Sequence, residues 1–373
     1  MEKNKKSTLE NNDKFCLSLF KNFVSQNTEK NILISPIFLY YDLGILSLGS
    51  KAGTLGEILK FFDEKNITDF TKNFEKFYQL ILSSKNFHTS DILYTNLKPL
   101  ENFSEKVKKF SNLLLTSEMN QSTFNLFAYE KTNKRIDKIF PTTTYLIKEP
   151  EINLINITYF ENMWKNKFIK NLTTKETFYG TNEKNSEVEM MVTKSLFEFF
   201  QEKNKEYQII DVPFLNGFSA LFILPLTDIN INDFIDKKLT GKFLKENLKK
   251  FKKVDVVLKL PKIKFDEIIE FKNIFKSNGL NKSMDPKEAD FSGIGENLFI
   301  NSVQQKIIFS LDEEMSTKIE SIIPQKKQET KNQKIVINEK DVQMTMNKPF
   351  IMIIKNESFD KFRFLFLGKF ESF

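Results

Sequence analysis

The sequence predicts an α+β fold, helices first and mixed sheets after. Apolar residues recur at helical spacing up to about residue 62, and from about residue 150 the period shifts towards two. The strand-like runs fall in several separated blocks, which asks for more than one sheet. Near the C-terminus a polar segment without glycine and with a single proline, DEEMSTKIESIIPQKKQETKNQK (312–334), lies between strand-like runs. A compact domain rarely keeps a loop beyond about 12–15 residues unless the loop has a job.

In chain order, FCLSLFKNFV (15–24) carries apolar residues at helical spacing. The run 35–50 opens with Ser35 as N-cap and Pro36 at the first helical position. The run 54–62 opens with Thr54, and Glu57 three residues on completes a capping box. Strands are predicted over 152–160, 207–214, 218–225, 254–265, 298–311, 347–356 and 362–370, with a further strand-like run at 334–344. VDVVLKLP alternates cleanly, whereas FSALFILP is nearly continuous apolar and suits a strand buried on both faces. Helices are predicted over 232–253 and 268–280. Without an internal repeat or a Pro/Gly/Ser-rich linker, residues 1–373 read as a single domain.

The hydrophobic fraction of 40% and charged fraction of 28% describe an ordinary soluble chain, and forty phenylalanines against one tryptophan predict an aromatic-rich core. One cysteine, Cys16, allows no internal disulfide, so nothing argues for an oxidising compartment. The start has no apolar stretch of signal-peptide length and no run of about 18 apolar residues occurs, so the expected setting is the cytosol, with release from the cell left open, and no membrane. Enzyme chemistry has little to work with. The only histidine is His88, read as an exposed loop residue, and Cys16 sits at helical spacing with Phe15 and Leu19. Ser-His or Cys-His catalysis needs a histidine placed by the fold. CxxC, HExxH and phosphate-loop motifs do not occur, so no metal or cofactor is expected. The net charge of +7 is mild; Lys245, Lys249, Lys252 and Lys253 cluster in KFLKENLKKFKKVDV and read either as a weak polyanion site or as a solvated face.

Several stretches together resemble the serpin family. NILISPIFLYYDLGILSLGSKAGTLGEI (31–58) is similar to its first strand-to-helix segment. FNLFAYEKTNKRIDKIF (124–140) matches its Asn…Lys-Thr-Asn-x-x-Ile pattern through Asn125, Lys131, Thr132, Asn133 and Ile136. INLINITYFENMWKNKF (152–168) matches through Asn156, Tyr159, Phe160 and Trp164, and VEMM (188–191) follows. VDVVLKLPKIKF, MDPKEADFSGI, LFINSVQQKIIFSLDEE, NKPFIMIIKN and FLFLGKF continue the likeness in order to the C-terminus.

The resemblance implies a monomeric inhibitor of serine proteases. Its long loop is a bait that, once cleaved, is pulled into the main sheet as an extra strand while the protease stays trapped, and no catalytic residue of its own is required. It also implies roles for particular residues. Glu313 becomes the hinge glutamate, followed by Glu314, Met315, Ser316, Thr317 and Lys318, with Lys262 as its partner. Asn156 lies where the central strands part, with Gln305 in place of the usual histidine, Ser35 retained and Phe38 replacing a serine. The hinge and bait span 313–346. Counting Glu313 as the first residue, the seventeenth is Glu329 and the cut falls before Thr330. Lys327 and Lys331 are alternatives suited to a trypsin-like enzyme, and Met344 and Met346 are remote ones.

The hinge departs from the family pattern. Met315 replaces a glycine, and Lys318 and Glu320 stand in a run of small residues, where ungapped alignment turns them towards the core. Burying a charge costs several kcal/mol unless it is paired. A one-residue slip would instead turn the Met315, Thr317, Ile319, Ser321 and Ile323 face inward. The alternative reading is therefore a binding or decoy protein with the same fold and no trapping.

Overall fold

The computed structural model describes residues 2–82, 87–118, 120–139, 151–314, 335–356 and 364–373. The first part of the chain forms α1 (Glu2–Gln26), β1 (Ile32–Ile34), α2 (Pro36–Ser47), α3 (Ala52–Phe61), α4 (Ile67–Leu82), β2 (Phe87–Thr95), α5 (Glu101–Val107), β3 (Leu113–Thr116), α6 (Gln121–Lys131) and β4 (Glu151–Phe160). Next come β5 (Thr174–Phe178), β6 (Ser186–Gln201), β7 (Tyr207–Pro213), β8 (Phe218–Pro225), α7 (Ile231–Lys238) and α8 (Gly241–Leu248). The chain ends with β9 (Lys252–Pro261), β10 (Ile263–Glu270), α9 (Lys272–Ser277), β11 (Phe299–Leu311), β12 (Val342–Thr345), β13 (Phe350–Asn356) and β14 (Phe364–Phe370). Two compact units divide these elements, one of residues 1–23, 34–160 and 266–308, the other of 24–33, 161–265 and 309–373.

In the first unit the sheet runs β10-β11-β4-β2-β3. β4 pairs antiparallel with β2 and parallel with β11. Alternation splits β2 and β4 between two faces. Ile92, Tyr94, Ile155, Ile157 and Tyr159 pack with Phe124 and Ala128 of α6 and with Ile136 and Ile139. The opposite face carries Asp91, Leu93, Leu154, Asn156 and Thr158, and α2 packs against β4. Every residue of α2 is buried, Asp42 included, as a helix otherwise largely apolar on all sides requires. Aromatic rings fill the helix layer: Tyr41 stacks on Tyr78 at 4.6 Å, and Phe62 on Phe70 at 5.3 Å. Gly49 and Gly293 let two backbones meet, since a Cβ on Gly293 would lie 2.6 Å from the Gly49 carbonyl oxygen.

In the second unit the strand order is β1-β14-β13-β8-β7-β6-β9-β12, with β5 on β6. β8 is buried throughout, as its apolar run predicts. Trp164 stacks on Phe214 at 4.3 Å. Lys355 pairs with Asp211 at 2.7 Å, and the fully buried Lys369 meets Glu371 at 3.2 Å and Asn232 at 2.9 Å.

Several predicted boundaries change. The first third is not all helix, because β2 and β3 lie within it. The run 254–265 is two strands in different sheets, parted at Lys262 after Pro261, which ends β9 without an N–H to donate. The helix predicted over 232–253 breaks at Thr240, whose hydroxyl caps α8 by accepting from Phe243 N–H at 3.0 Å, and Lys252 and Lys253 already belong to β9. In the run 268–280 only Lys272–Ser277 is helical, since 268–270 continue β10. Among the described residues of 334–344, only the end is strand, as the start of β12 (Val342–Thr345). His88 lies in β2 rather than a loop. It is half-buried, with its Nδ1 3.0 Å from Asn133 Nδ2, and burial together with the Arg135 charge holds its ring below the ordinary imidazole range.

The capping box at Thr54 does not form. Lys51 is the N-cap of α3, which leaves Thr54 inside the first turn, where its hydroxyl accepts from Asp290 N–H at 2.8 Å. Glu57 instead accepts from the N–H groups of Asn281, Lys282 and Ser283 at 2.7, 2.8 and 2.9 Å, and from the Ser283 hydroxyl. The side chain thus closes a remote loop rather than its own helix. Glu57→Ala should cost roughly 1–3 kcal/mol through the unmet donors, read as a lowered thermal midpoint, while Glu57→Gln should retain part of that loss. An unchanged midpoint in the alanine variant would show that water replaces the carboxylate without cost.

Candidate functional site

The parallel register of β4 and β11 sets Asn156 opposite Gln305, and the antiparallel register of β2 sets Asp91 on the other side of Asn156. The three side chains form a row across the sheet. Gln305 Nε2 donates to Asn156 Oδ1 at 2.9 Å, and Asn156 Nδ2 donates to Asp91 Oδ1 at 2.7 Å and Thr89 Oγ1 at 3.3 Å. The Thr158 hydroxyl donates to Asn156 Oδ1 at 2.8 Å. Gln305 also brackets Ser35, accepting from its N–H at 2.8 Å and donating to its carbonyl at 2.9 Å. Ser35 occupies the N-cap position of α2, yet its side chain makes no capping bond there. The amide of Gln305 therefore does at once what no apolar residue could, joining β11, β4 and the start of α2.

Asp42, two turns along α2, faces Asp91. Both are 1% exposed. Burial first, then the charge of Asp91 and a hydrogen bond to it, drives the Asp42 carboxyl well above the usual range. Burial likewise pushes Asp91 up to about 7, against the hydrogen bonds from Asn156 and Asp42. A buried carboxyl beside a second one favours its neutral form. Sequence reading missed both residues, although Asp42 is the one charged residue in SPIFLYYDLGILSLGS, which marks it as needing a buried partner.

In the second unit, Glu313 follows the end of β11 by two residues and is 5% exposed. Lys262 Nζ lies 3.2 Å from Glu313 Oε1 and 3.0 Å from Glu189 Oε1, and the Thr173 hydroxyl donates to Glu313 Oε1 at 2.6 Å. The bend between β9 and β10 aims Lys262, whose N–H donates to the Glu189 carbonyl at 2.9 Å. Trp164 Nε1 donates to the Asp312 carbonyl at 2.9 Å, and Glu314 N–H donates to the Asp312 carboxylate at 3.0 Å. Burial pushes the Glu313 carboxyl up, but bonds from Thr173, its own backbone and Lys262 outweigh that and hold it below the usual range. Burial lowers Lys262, and its two glutamates more than reverse this. Sequence reading paired Lys262 with Glu313 but found neither Thr173 nor Glu189, which carry no motif.

Met315, Ser316, Thr317 and Lys318, like Lys327, Glu329, Thr330 and Lys331, lie outside the described residues, as does the alternating stretch 315–323. The far end of the segment is held: Lys194 Nζ meets Asp341 Oδ2 at 2.7 Å and the Val336 carbonyl at 2.7 Å. Met344 and Met346, named as remote cleavage positions, are fully buried. Met344 pairs in register with Leu258, and Met346 N–H donates to the Lys259 carbonyl at 2.9 Å. The bait predicted to reach 346 thus gives way at Val342 to an edge strand. Lys245, Lys249, Lys252 and Lys253 are all exposed, on α8, its end and the start of β9. Among the described residues no group of acidic, histidine and cysteine side chains is arranged to hold a metal, and no helix is long and apolar enough to cross a membrane.

Lys262→Met should leave Glu313 buried with only Thr173 and its own backbone, costing roughly 1–3 kcal/mol at neutral pH. Because the folded pKa of Glu313 is depressed, this contribution is present above the ordinary carboxylate range and lost as pH falls through the folded value. The gap in thermal midpoint between the parent and Lys262→Met should therefore close below about pH 4. A gap that stays constant to lower pH would assign the effect to packing of the lysine stem.

A family model described as Serpin (serine protease inhibitor) matches residues 10–372. Among curated relatives, human Serpin B4 is 24% identical over 341 residues, covering 83% of this chain and 86% of its own length. Rat Serpin B5 is 27% identical over 386 residues, covering 97% and 98%. Among solved structures, the thermophilic serpin Tengpin in its native state has a TM-score of 0.82 at 24% identity, covering 98% of this chain and 94% of its own. Native protease nexin-1 with heparin has a TM-score of 0.80 at 19% identity, covering 98% and 99%. The family match runs over nearly the whole length and the same fold recurs in these solved structures, so the chain belongs to the serpin family.

Proposed function

We propose that this serpin inhibits a serine protease as a suicide substrate, by cleavage of its loop, insertion of the cut segment between β4 and β11, and covalent trapping of the enzyme. The observation that carries this reading is the parallel pairing of β4 with β11, from whose end the segment departs. A strand that turns back from β11 runs antiparallel to β11 and, because β4 is parallel to β11, antiparallel to β4 as well. Insertion therefore exchanges one parallel ladder for two antiparallel ones, each slightly more stable per residue. Main-chain hydrogen bonds supply the gain, so a segment of varied sequence can serve. Glu313, Glu314, Met315, Ser316, Thr317 and Lys318 form the hinge, and Lys262 with Thr173 holds its first residue. The scissile bond is assigned to Glu329–Thr330, with Lys327 and Lys331 as the alternatives. The inhibitor itself does no catalysis, and the single cysteine fits a reducing compartment such as the cytosol.

A second reading, a binding or decoy protein that is cut without trapping, is favoured by Met315, Lys318 and Glu320, which put bulk and charge where insertion calls for small residues. The four exposed lysines also support weak polyanion binding, as does the likeness to a neighbour solved with heparin. If they bind, retention on a heparin column should fall steeply with added salt.

Incubation with trypsin-like, chymotrypsin-like, elastase-like and Glu-specific proteases, followed by denaturing gels and mass spectrometry of the released peptide, tests the reading. A covalent band stable to denaturant is expected with one of them, and the first residue of the peptide identifies the bond. Cleavage at one loop position with no such band from any protease would favour the decoy. In that event Lys318→Ala with Glu320→Ala should restore a covalent band if charge burial is the block.

A further inference from the structure

Residues 336–341 are held to the second unit's sheet by a set of polar contacts. Lys194 Nζ donates to the Val336 carbonyl at 2.7 Å and meets Asp341 Oδ2 at 2.7 Å, in a pair whose carboxylate side chain is 4% exposed. The same carboxylate accepts from Asn338 N–H at 2.6 Å, and Asp341 N–H donates to the Asn338 carbonyl at 3.0 Å. Yet the side chains on this fixed turn face water, Val336 at 70% exposure and Ile337 at 60%. On β6, Leu196 is 55% exposed and shares a face with Lys194 two residues before it, since β6 keeps an unbroken register with β9 from Met190 to Phe199. Single exposed apolar side chains need no explanation. Three gathered about one lysine, two of them on a pinned backbone, make a pre-set apolar patch of the kind that marks an interaction site. Ordering the turn costs conformational entropy and burying the Asp341 charge costs desolvation. Val336 and Ile337 bury little that would offset either, so the offset comes from a partner.

We propose that Leu196, Val336 and Ile337 form a docking ridge for the protease that cuts the loop, and that they help decide which protease does so. Loop cleavage is taken from the function proposed above, in its inhibitory or its decoy form. Chain length brings the enzyme to the ridge. Glu329 is seven residues before Val336 and Lys331 five, so these bonds lie within about 25 Å of Val336 even along fully extended chain. A globular domain of about 200–250 residues spans roughly 45 Å. With its active site on the loop, the enzyme therefore overlies the turn on the side of the residues that follow the cut. The partner this ridge fits is a protease with apolar side chains on that rim of its cleft. Docking there adds affinity that does not depend on the residue at the cut, so Lys327, Glu329 and Lys331 need not select the enzyme by themselves.

The probe is whichever of the four panel proteases cuts the loop fastest, used against the full chain. Leu196→Ser, and Val336→Ser together with Ile337→Ser, are compared with the parent by the second-order rate of loop cleavage. Leu126→Ser, a similarly exposed leucine on α6, is the control. The rate should fall roughly tenfold in the paired variant and severalfold in Leu196→Ser, with the same bond cut and the control at the parent's rate. A second measurement needs no variant of this protein. The same protease, its nucleophilic serine changed to alanine, binds without cutting, and it should slow hydrogen exchange of amides 194–198 and 336–341 in the parent. Unchanged rates in the ridge variants, or no protection at those amides, would overturn the proposal and leave loop cleavage standing. A parent that dimerises in the ultracentrifuge, with the paired variant monomeric and cut at the parent's rate, would overturn it in favour of a second copy. If no panel protease cuts within 324–341, the function proposed above fails and the ridge falls with it.

Discussion

The hydrogen bond between Gln305 and Asn156 fastens the one parallel seam that a returning strand could enter from the end of β11. In the buried interior an amide left without partners costs about 1–3 kcal/mol. Parting these strands is therefore costly unless something replaces the lost bonds, and an inserted main chain is such a replacement. The layers around the seam fit that constraint. The buried helix α2 packs on one side of β4 and the cluster under α6 on the other, and the polar row runs across the α2 side, with Gln305 bonded to Asn156 and Asn156 to Asp91. A seam of apolar side chains would be held by packing alone. A hydrogen-bonded row instead makes opening depend on a few named contacts.

In the proposed mechanism the hinge answers a different requirement. A segment that must move cannot be anchored along its length, yet its first residue has to be held until the move begins. Glu313 meets this with one buried carboxylate shared by a lysine, a hydroxyl and a backbone N–H. The Asp312 carbonyl is fixed by Trp164 just before it, and at the far end Lys194 secures Val336 and Asp341. The interval between these anchors carries Met315, Lys318 and Glu320, the residues on which inhibition and decoy binding diverge.

Much of this was legible in the sequence. β7, β8 and β11 declare themselves by alternation or continuous apolarity, and Asn156, Gln305, Lys262 and Glu313 could be placed by motif before any contact was known. β2 was not legible, because HTSDILYT breaks its apolar alternation with the Thr89 and Asp91 that the polar row requires. The capping box at Thr54 failed for a similar reason. Thr54 and Glu57 have the right local spacing, but the loop around 281–290 competes for both oxygens and wins. Thr240 ended a helix that charge and periodicity alone would have continued, and the turn at Lys262 hid inside a run that still looks like one strand. Asp42 was visible as an odd acid in an apolar helix, but its partner lies 49 positions away on a strand that sequence reading did not find.

If the native fold withholds part of its stability until the loop enters the seam, cutting the loop should release it. Limited proteolysis within residues 324–341, with the thermal midpoints of intact and cleaved protein compared side by side, measures that directly. Insertion of a strand bonded on both sides should raise the midpoint by on the order of ten degrees or more. An unchanged or lower midpoint after complete cleavage would mean that the seam does not open to the loop, and the inhibitory mechanism would fall with it.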